Sequence, residues 1–180
     1  MSKKQDILNA ALKVFTELGT KAASTRTIAL EANVSEALIF KHFKSKDNLI
    51  EEILKCGYRQ ATKLVAQHVS YKFPKEYISN LLDLPKILVL NNKDFWQMQY
   101  KITPLNSLAM MHHRHFMTSS HEMLTKAFSE LGYSKPELEA EIVLMMIDAL
   151  WKHIASNDLE SDYIEELILR IKEKYHLLTN

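Results

Sequence analysis

Arg26, Thr27, Glu36, Ala37, Lys41 and His42 crowd into one short stretch, STRTIALEANVSEALIFKHFKSK (24–46), offering charged and neutral hydrogen-bonding groups beside a methyl. Presented on one side of a pair of short helices, such a set suits a groove of duplex DNA. One helix braces on the backbone while the next lays its N-terminal residues against base edges. A second dense stretch, DFWQMQYKITPLNSLAMMHHRHFMTSSH (94–121), gathers aromatics, methionines and histidines. With Trp151 and His153 it could line an apolar small-molecule cavity with a few polar groups, or simply fill a core. His112 and His115 stand three apart and could face one ion, but no Cys, Asp or Glu at supporting spacing completes a metal set. No metal or other cofactor is expected. No nucleophile or acid–base constellation is visible, so the chain does not read as an enzyme.

The elements that must position these residues are legible near the N-terminus. Ser24 or Thr25 can cap a helix over Arg26–Ala32, since a hydroxyl accepts from the unpaired N–H groups at a helix start. Asn33 sits at the turn, where a positive φ is needed. Ser35 caps the second helix, with Glu36 favourably placed in its first turn. Ile28, Ala29, Val34, Ile39 and Phe43 form the inner face. Upstream, Ser2 and Gln5 have capping-box spacing, and Ile7, Ala11, Val14, Phe15 and Leu18 recur with helical period until Gly19. Downstream, Ser45 opens a long helix to about Val69, with Leu49, Ile50, Ile53, Leu54, Ala61, Leu64 and Val65 on its buried side. It is the natural lever between the two parts of the molecule.

Further on, Phe73-Pro74 breaks the chain, and 76–90 reads as a helix bent or broken at Pro85. Asn91-Asn92 turns, and Asp94 can cap a short helix that Thr103-Pro104 stops. Helices follow over 105–131, ending at Gly132; from a capping box at Ser134 and Glu137 to about Ser156; and over 161–175. Ile142–Ile147 is an unbroken apolar run, expected to be buried on more than one side. Ile164, Leu167, Ile168 and Ile171 repeat at helical steps. These last two helices, about 136–175, suggest a face that pairs with its own copy across a two-fold axis.

Composition agrees with an all-α chain. Of 180 residues 47% are hydrophobic, enough for a large core, and only 3 are Gly and 4 Pro, which favours helices with short connections. The net charge of +1 hides an asymmetry: residues 1–50 hold eight Lys/Arg against five Asp/Glu, and the remainder fifteen against seventeen. The excess is too small to argue for nucleic acid by itself. One cysteine, Cys56, excludes an internal disulfide and fits a reducing cytoplasm, and no signal peptide or membrane span is visible.

Segment 7–54 closely resembles the N-terminal domain of TetR-type transcriptional regulators through ILNAALKVFTELG, STRTIA and VSEALIFKHFKSKDNLI. The resemblance implies an all-α homodimer that binds a near-palindromic operator, usually as a repressor, and is released by a small-molecule effector. Residues 1–46 would be the helix-turn-helix domain and 47–180 the effector-binding and dimerisation domain. In that picture Arg26, Glu36, Ala37 and Leu38 fall at base-edge positions, and Thr25, Lys41, His42 and Lys46 at phosphate positions. Arg26 can fork onto guanine, Glu36 can accept from a cytosine amino group, and Ala37 or Leu38 can touch a thymine methyl. Three positions depart from the family pattern: Asn33 replaces a turn glycine, Phe40 stands where tyrosine is frequent, and Leu38 where a polar residue is common. The effector, apolar or aromatic, would be held by Trp96, Tyr100, Met110, Met111, His113, Phe116, Met117, Met146 and Trp151. The alternatives are a ligand-independent dimeric DNA binder and a helical interaction protein whose helix-turn-helix is vestigial.

Overall fold

The computed structural model describes Ser2–Leu178, and over these residues the chain is all-α. The helices are α1 (Lys3–Ala22), α2 (Thr25–Glu31), α3 (Glu36–Phe43), α4 (Lys46–His68), α5 (Pro74–Asn91), α6 (Lys93–Ile102), α7 (Ser107–Glu130), α8 (Pro136–Ser156) and α9 (Ser161–Lys174), with a 3-10 turn at Thr103–Leu105.

The first three helices start where the sequence places their caps. Ser2, Ser24 and Ser35 each accept a backbone N–H, from Gln5, Thr27 and Leu38 respectively. Gly19 interrupts α1 at φ 75° and ψ 159°, and a final turn of helix follows it. Asn33, at φ 50°, takes the left-handed conformation that ends α2. Its N–H bonds Leu30 O at 3.1 Å and the Val34 N–H bonds Ala29 O at 3.0 Å, the paired bonds of a Schellman stop. Gly132, at φ 80°, ends α7 in the same way through Gly132 N to Ser129 O and Tyr133 N to Phe128 O.

Three expectations about helix starts and breaks need correction. Pro85 does not break α5, which runs unbroken from Pro74 to Asn91. Proline forfeits one ladder bond, and here burial of Leu81, Leu82, Leu84, Pro85 and Leu88 holds the helix together around it. Ser134 does not cap α8: the cap position is Lys135, without a side-chain bond, and Pro136 supplies the pre-set φ of the first helical residue. Asp94 lies inside the first turn of α6 rather than capping it.

The chain divides into two compact units, one holding residues up to Gln60 with Asp94–His113, the other holding Ala61–Lys93 with the residues from Arg114 onward. In the first, Ile7, Val14, Phe15, Ile28, Ile39, Phe43, Leu49, Leu54, Phe95 and Trp96 are buried. Helix α1 packs on α2, and α2 on α3. Helix α6 is fastened to α1 by polar contacts to main-chain oxygens. The Thr16 hydroxyl reaches both Leu12 O, at 2.9 Å, and Asp94 O, at 3.1 Å, while Lys101 Nζ donates to Thr16 O at 2.6 Å. Helix α4 meets Phe95 at Gly57, where a Cβ would lie 2.1 Å from the buried ring.

In the second unit α5 packs on α8 and α9. Tyr77, Ile78, Leu82, Phe128, Val143, Ile147, Trp151, Ile164 and Ile168 are buried. Helices α5 and α9 are also bridged by Lys172 to Asp83, at 2.7 and 2.8 Å, and by Lys86 to Glu165. The run Ile142–Ile147 is buried on one side only: Val143 and Ile147 face inward, while Ile142 is 40% and Met145 58% exposed.

Candidate nucleic-acid interface

The helix-turn-helix is assembled from α2, the Asn33 turn and α3. Ile28, Ala29, Ile39 and Phe43 point into the core, so the opposite flank is the one free to meet a partner. Arg26, Ala37, Phe40, Lys41 and His42 are exposed there, and Thr25, Glu36 and Leu38 are half-buried. The structure thus brings the base-edge candidates Arg26, Glu36, Ala37 and Leu38 to the N-terminal turns of adjacent helices. Lys41 and His42 lie in the last turn of α3.

Three of the candidate DNA-contact residues, Lys46, Thr25 and Glu36, already have intramolecular partners. Lys46 is half-buried, and its ammonium donates to Thr20 O at 2.9 Å and Ala23 O at 3.1 Å, closing the C-terminal end of α1. An ammonium has three N–H donors, so one is left to reach a phosphate. Thr25 Oγ1 donates to Glu36 Oε1, joining the first residues of α2 and α3. Neither partner was evident from the sequence, because the fold must bring the groups together from distant positions. Elsewhere in this unit Lys4 pairs with Glu52 at 2.9 Å and Lys13 with Glu31 at 2.7 Å. The Lys4 ammonium holds the Glu52 carboxyl below its ordinary pKa, and Glu31 raises that of Lys13. These lysines carry their own counter-charges, so Arg26 and Lys41 on the exposed flank weigh more in its potential than a charge count suggests.

Ser45 accepts the N–H of Asn48 at 3.1 Å and so starts α4. The N–H groups of its first turn, with the positive end of the helix dipole, form a further donor set of the kind that holds phosphate.

The aromatic candidates divide between the two units. In the first, Trp96 is buried and lies edge-on to Phe95 at 4.7 Å and to Tyr58 at 5.7 Å. His113 Nδ1 is 3.2 Å from the Tyr58 hydroxyl, and its ring is 5.7 Å from that of Tyr100. Met110 and Met111 are 44% and 56% exposed, so neither fills the core. In the second unit Phe116 meets the buried Trp151 at 5.8 Å, and Met146 Sδ lies 4.0 Å from the Tyr175 hydroxyl. Met117 is half-buried. Among the described residues no three His, Cys, Asp or Glu side chains gather as a metal set. No helix of the described residues is long and apolar enough to cross a membrane.

Residues 7–53 match the model for "Bacterial regulatory proteins, tetR family". An uncharacterized HTH-type transcriptional regulator, YvkB of Bacillus subtilis, is 48% identical over 48 residues, 27% of this chain and 25% of that protein. The chain matches less than half the length of each of its curated relatives, and in YvkB the match spans a quarter. The fold likeness extends over nearly the whole chain. A TetR-like transcriptional regulator from Rhodococcus sp. RHA1 superposes with a TM-score of 0.79 over 98% of this chain and 97% of its own, at 18% identity. The transcriptional regulator FadR from Bacillus subtilis, in complex with stearoyl-CoA, superposes with a TM-score of 0.75 over 94% and 95%, at 17% identity.

Proposed function

We propose, from the premise that this chain belongs to the tetR family of bacterial regulatory proteins, that it is a DNA-binding transcriptional repressor released from a near-palindromic operator by a small-molecule effector. The observation that carries the reading is the capped α2–turn–α3 element, with Arg26, Ala37, Lys41 and His42 outward over a closed apolar core. Residues 1–46 would read DNA, and 47–180 bind the effector and dimerise.

Dimerisation through α8 and α9 is supported by an exposed apolar stripe. Leu138 (51% exposed), Ile142 and Met145 follow one another at four- and three-residue steps along one face of α8, and Tyr163 and Leu169 are exposed on α9. A row of large apolar side chains at helical spacing favours burial against a like face in a two-fold dimer. Paired reading heads must then match successive major grooves, about 34–36 Å apart.

An apolar or aromatic effector is supported by the 94–121 stretch, and within it by the place of α6. Trp96 and Tyr100 belong to a helix held to α1 by Lys101 and Thr16 and to α4 by the Gly57–Phe95 contact. A ligand touching α6 therefore acts on a helix already joined to the reading head. The ligand-bearing FadR supports the fold's capacity to hold an acyl-CoA. The mechanism is a population shift: a ligand that prefers one spacing of the heads depletes the other, and a differential affinity of about 100-fold shifts occupancy usefully.

Selection of bound DNA from random sequences tests this reading. Two inverted half-sites, with centres about one helical turn apart, are the expected product. Enrichment of a single unpaired site, or none, would overturn the dimeric reading head.

A further inference from the structure

We propose that Thr25 is a specificity-determining positioning residue: its hydroxyl clamps Glu36 so that one carboxylate oxygen is fixed toward the base edge that α3 reads. The inference rests on the DNA-reading function proposed above and assigns Thr25 a role other than holding phosphate.

Thr25 and Glu36 are the first residues of α2 and α3, and Thr25 Oγ1 donates to Glu36 Oε1. Both side chains are half-buried. A threonine hydroxyl carries a single hydrogen. While that hydrogen is donated to Glu36 it cannot also be donated to a phosphate oxygen, and phosphate accepts but does not donate. The clamp and a phosphate contact from the Thr25 hydroxyl are thus alternatives for the same hydrogen.

The chemistry of Glu36 then follows. An ionised carboxylate only accepts, and the surrounding phosphates repel it, so its natural partner in a major groove is a base amino group, above all cytosine N4. With Oε1 held by Thr25, Oε2 is the acceptor left for that contact. Glutamate has many rotamers, and fixing one before binding reduces what must be ordered in the complex. Around the pair, the Ser24 and Ser35 caps and the Asn33 turn hold the two helix starts in register.

The test is selection from random DNA, with salt-dependent binding to the selected site, by the full-length wild type, Thr25→Val, Thr25→Ser and Glu36→Gln. Circular dichroism of each variant checks that the helices are intact. Thr25→Val is expected to relax preference at one base pair per half-site about tenfold, with the slope of log affinity against log salt unchanged. Thr25→Ser restores the wild-type preference. Glu36→Gln, which adds a donor, moves the preference at that same base pair away from cytosine. The clamp is overturned if Thr25→Val weakens all sequences alike with no change in preference at any base pair, the signature of a lost phosphate contact, or if it matches wild type throughout. A wild type that selects no sequence at all overturns the DNA-reading function, and the clamp with it.

Discussion

The helices of the reading head and those of the second unit begin in different ways. Helices α1, α2 and α3 each start on a serine whose hydroxyl takes a backbone N–H, whereas α5, α8 and α9 start without a side-chain cap, two of them on proline. The head is specified by local chemistry: caps, a left-handed Asn33 and short apolar repeats. The second unit is specified by faces that match only after folding, α5 against α8 and α9, with Lys172–Asp83 and Lys86–Glu165 across the α5–α9 join. The contrast has a functional sense. A reading head must keep a few side chains in fixed places, and capped, tightly turned helices do that whatever the remainder binds.

The contrast should be sharpest where the first unit departs from the rule of the head it contains. Helix α6 is held in the first unit by packing, and Phe95→Ala is expected to cost about 3–5 kcal/mol in thermal or denaturant unfolding. Gly57→Ala should cost about 1–3 kcal/mol, because the buried Phe95 ring occupies the space. That penalty should shrink in a Phe95→Ala background. Simple addition of the two losses would show that the contact is not the cause.

The second unit should have the stronger alkaline limit. Burial pushes the Tyr77 hydroxyl up to about 12, from an ordinary value of 10.0. A pKa raised on folding gives stability that is intact below the unfolded value and lost as pH climbs through the folded one. The loss therefore falls between pH 10 and about 12, and amounts to roughly 2–3 kcal/mol. Tyr77→Phe should remove its share and leave that of the neighbouring Tyr71, whose hydroxyl burial also raises to about 12, as followed by unfolding across that range alongside phenolate absorbance. An unchanged alkaline profile in the variant would assign the loss elsewhere.

Caps give a smaller and more direct comparison. Ser24→Ala and Ser35→Ala should each destabilise by about 1 kcal/mol. Ser134→Ala, at a helix start with no side-chain cap, should fall within about 0.5 kcal/mol of wild type. Equal effects at all three would erase the distinction. Smaller than the cap losses is the Lys172–Asp83 pair, for which a double-mutant cycle should give about 0.2–1 kcal/mol, declining as salt is added.

The same division explains what was legible in the sequence. Ser24, Asn33 and Ser35 act on residues a few positions away, so their roles follow from spacing alone; the bounds of α2 came out within a residue, and α3 starts directly after its expected cap. Pro85 and Ser134 misled because the local rule lost to packing in one case and to Pro136 in the other. The Thr25–Glu36 bond, the Lys46 carbonyl contacts and the Lys101–Thr16 tie join residues that only the fold makes neighbours. No periodicity encodes them. The outward face of α8 was half legible: its apolar run was plain, but Ile142 and Met145 were expected inside and lie outside within this chain.

The central claim is that α2 and α3 form a DNA-reading head, and it is tested most directly by binding of the purified chain to DNA from around its own gene across a salt series, with Arg26→Ala and Lys41→Ala alongside. The account predicts tight, steeply salt-dependent binding. Arg26→Ala should lose about 1–3 kcal/mol and relax selectivity at one position, and Lys41→Ala should weaken all sequences alike and lower the salt slope by about 1. Binding no better than to random DNA, with neither variant changing it, would contradict the account.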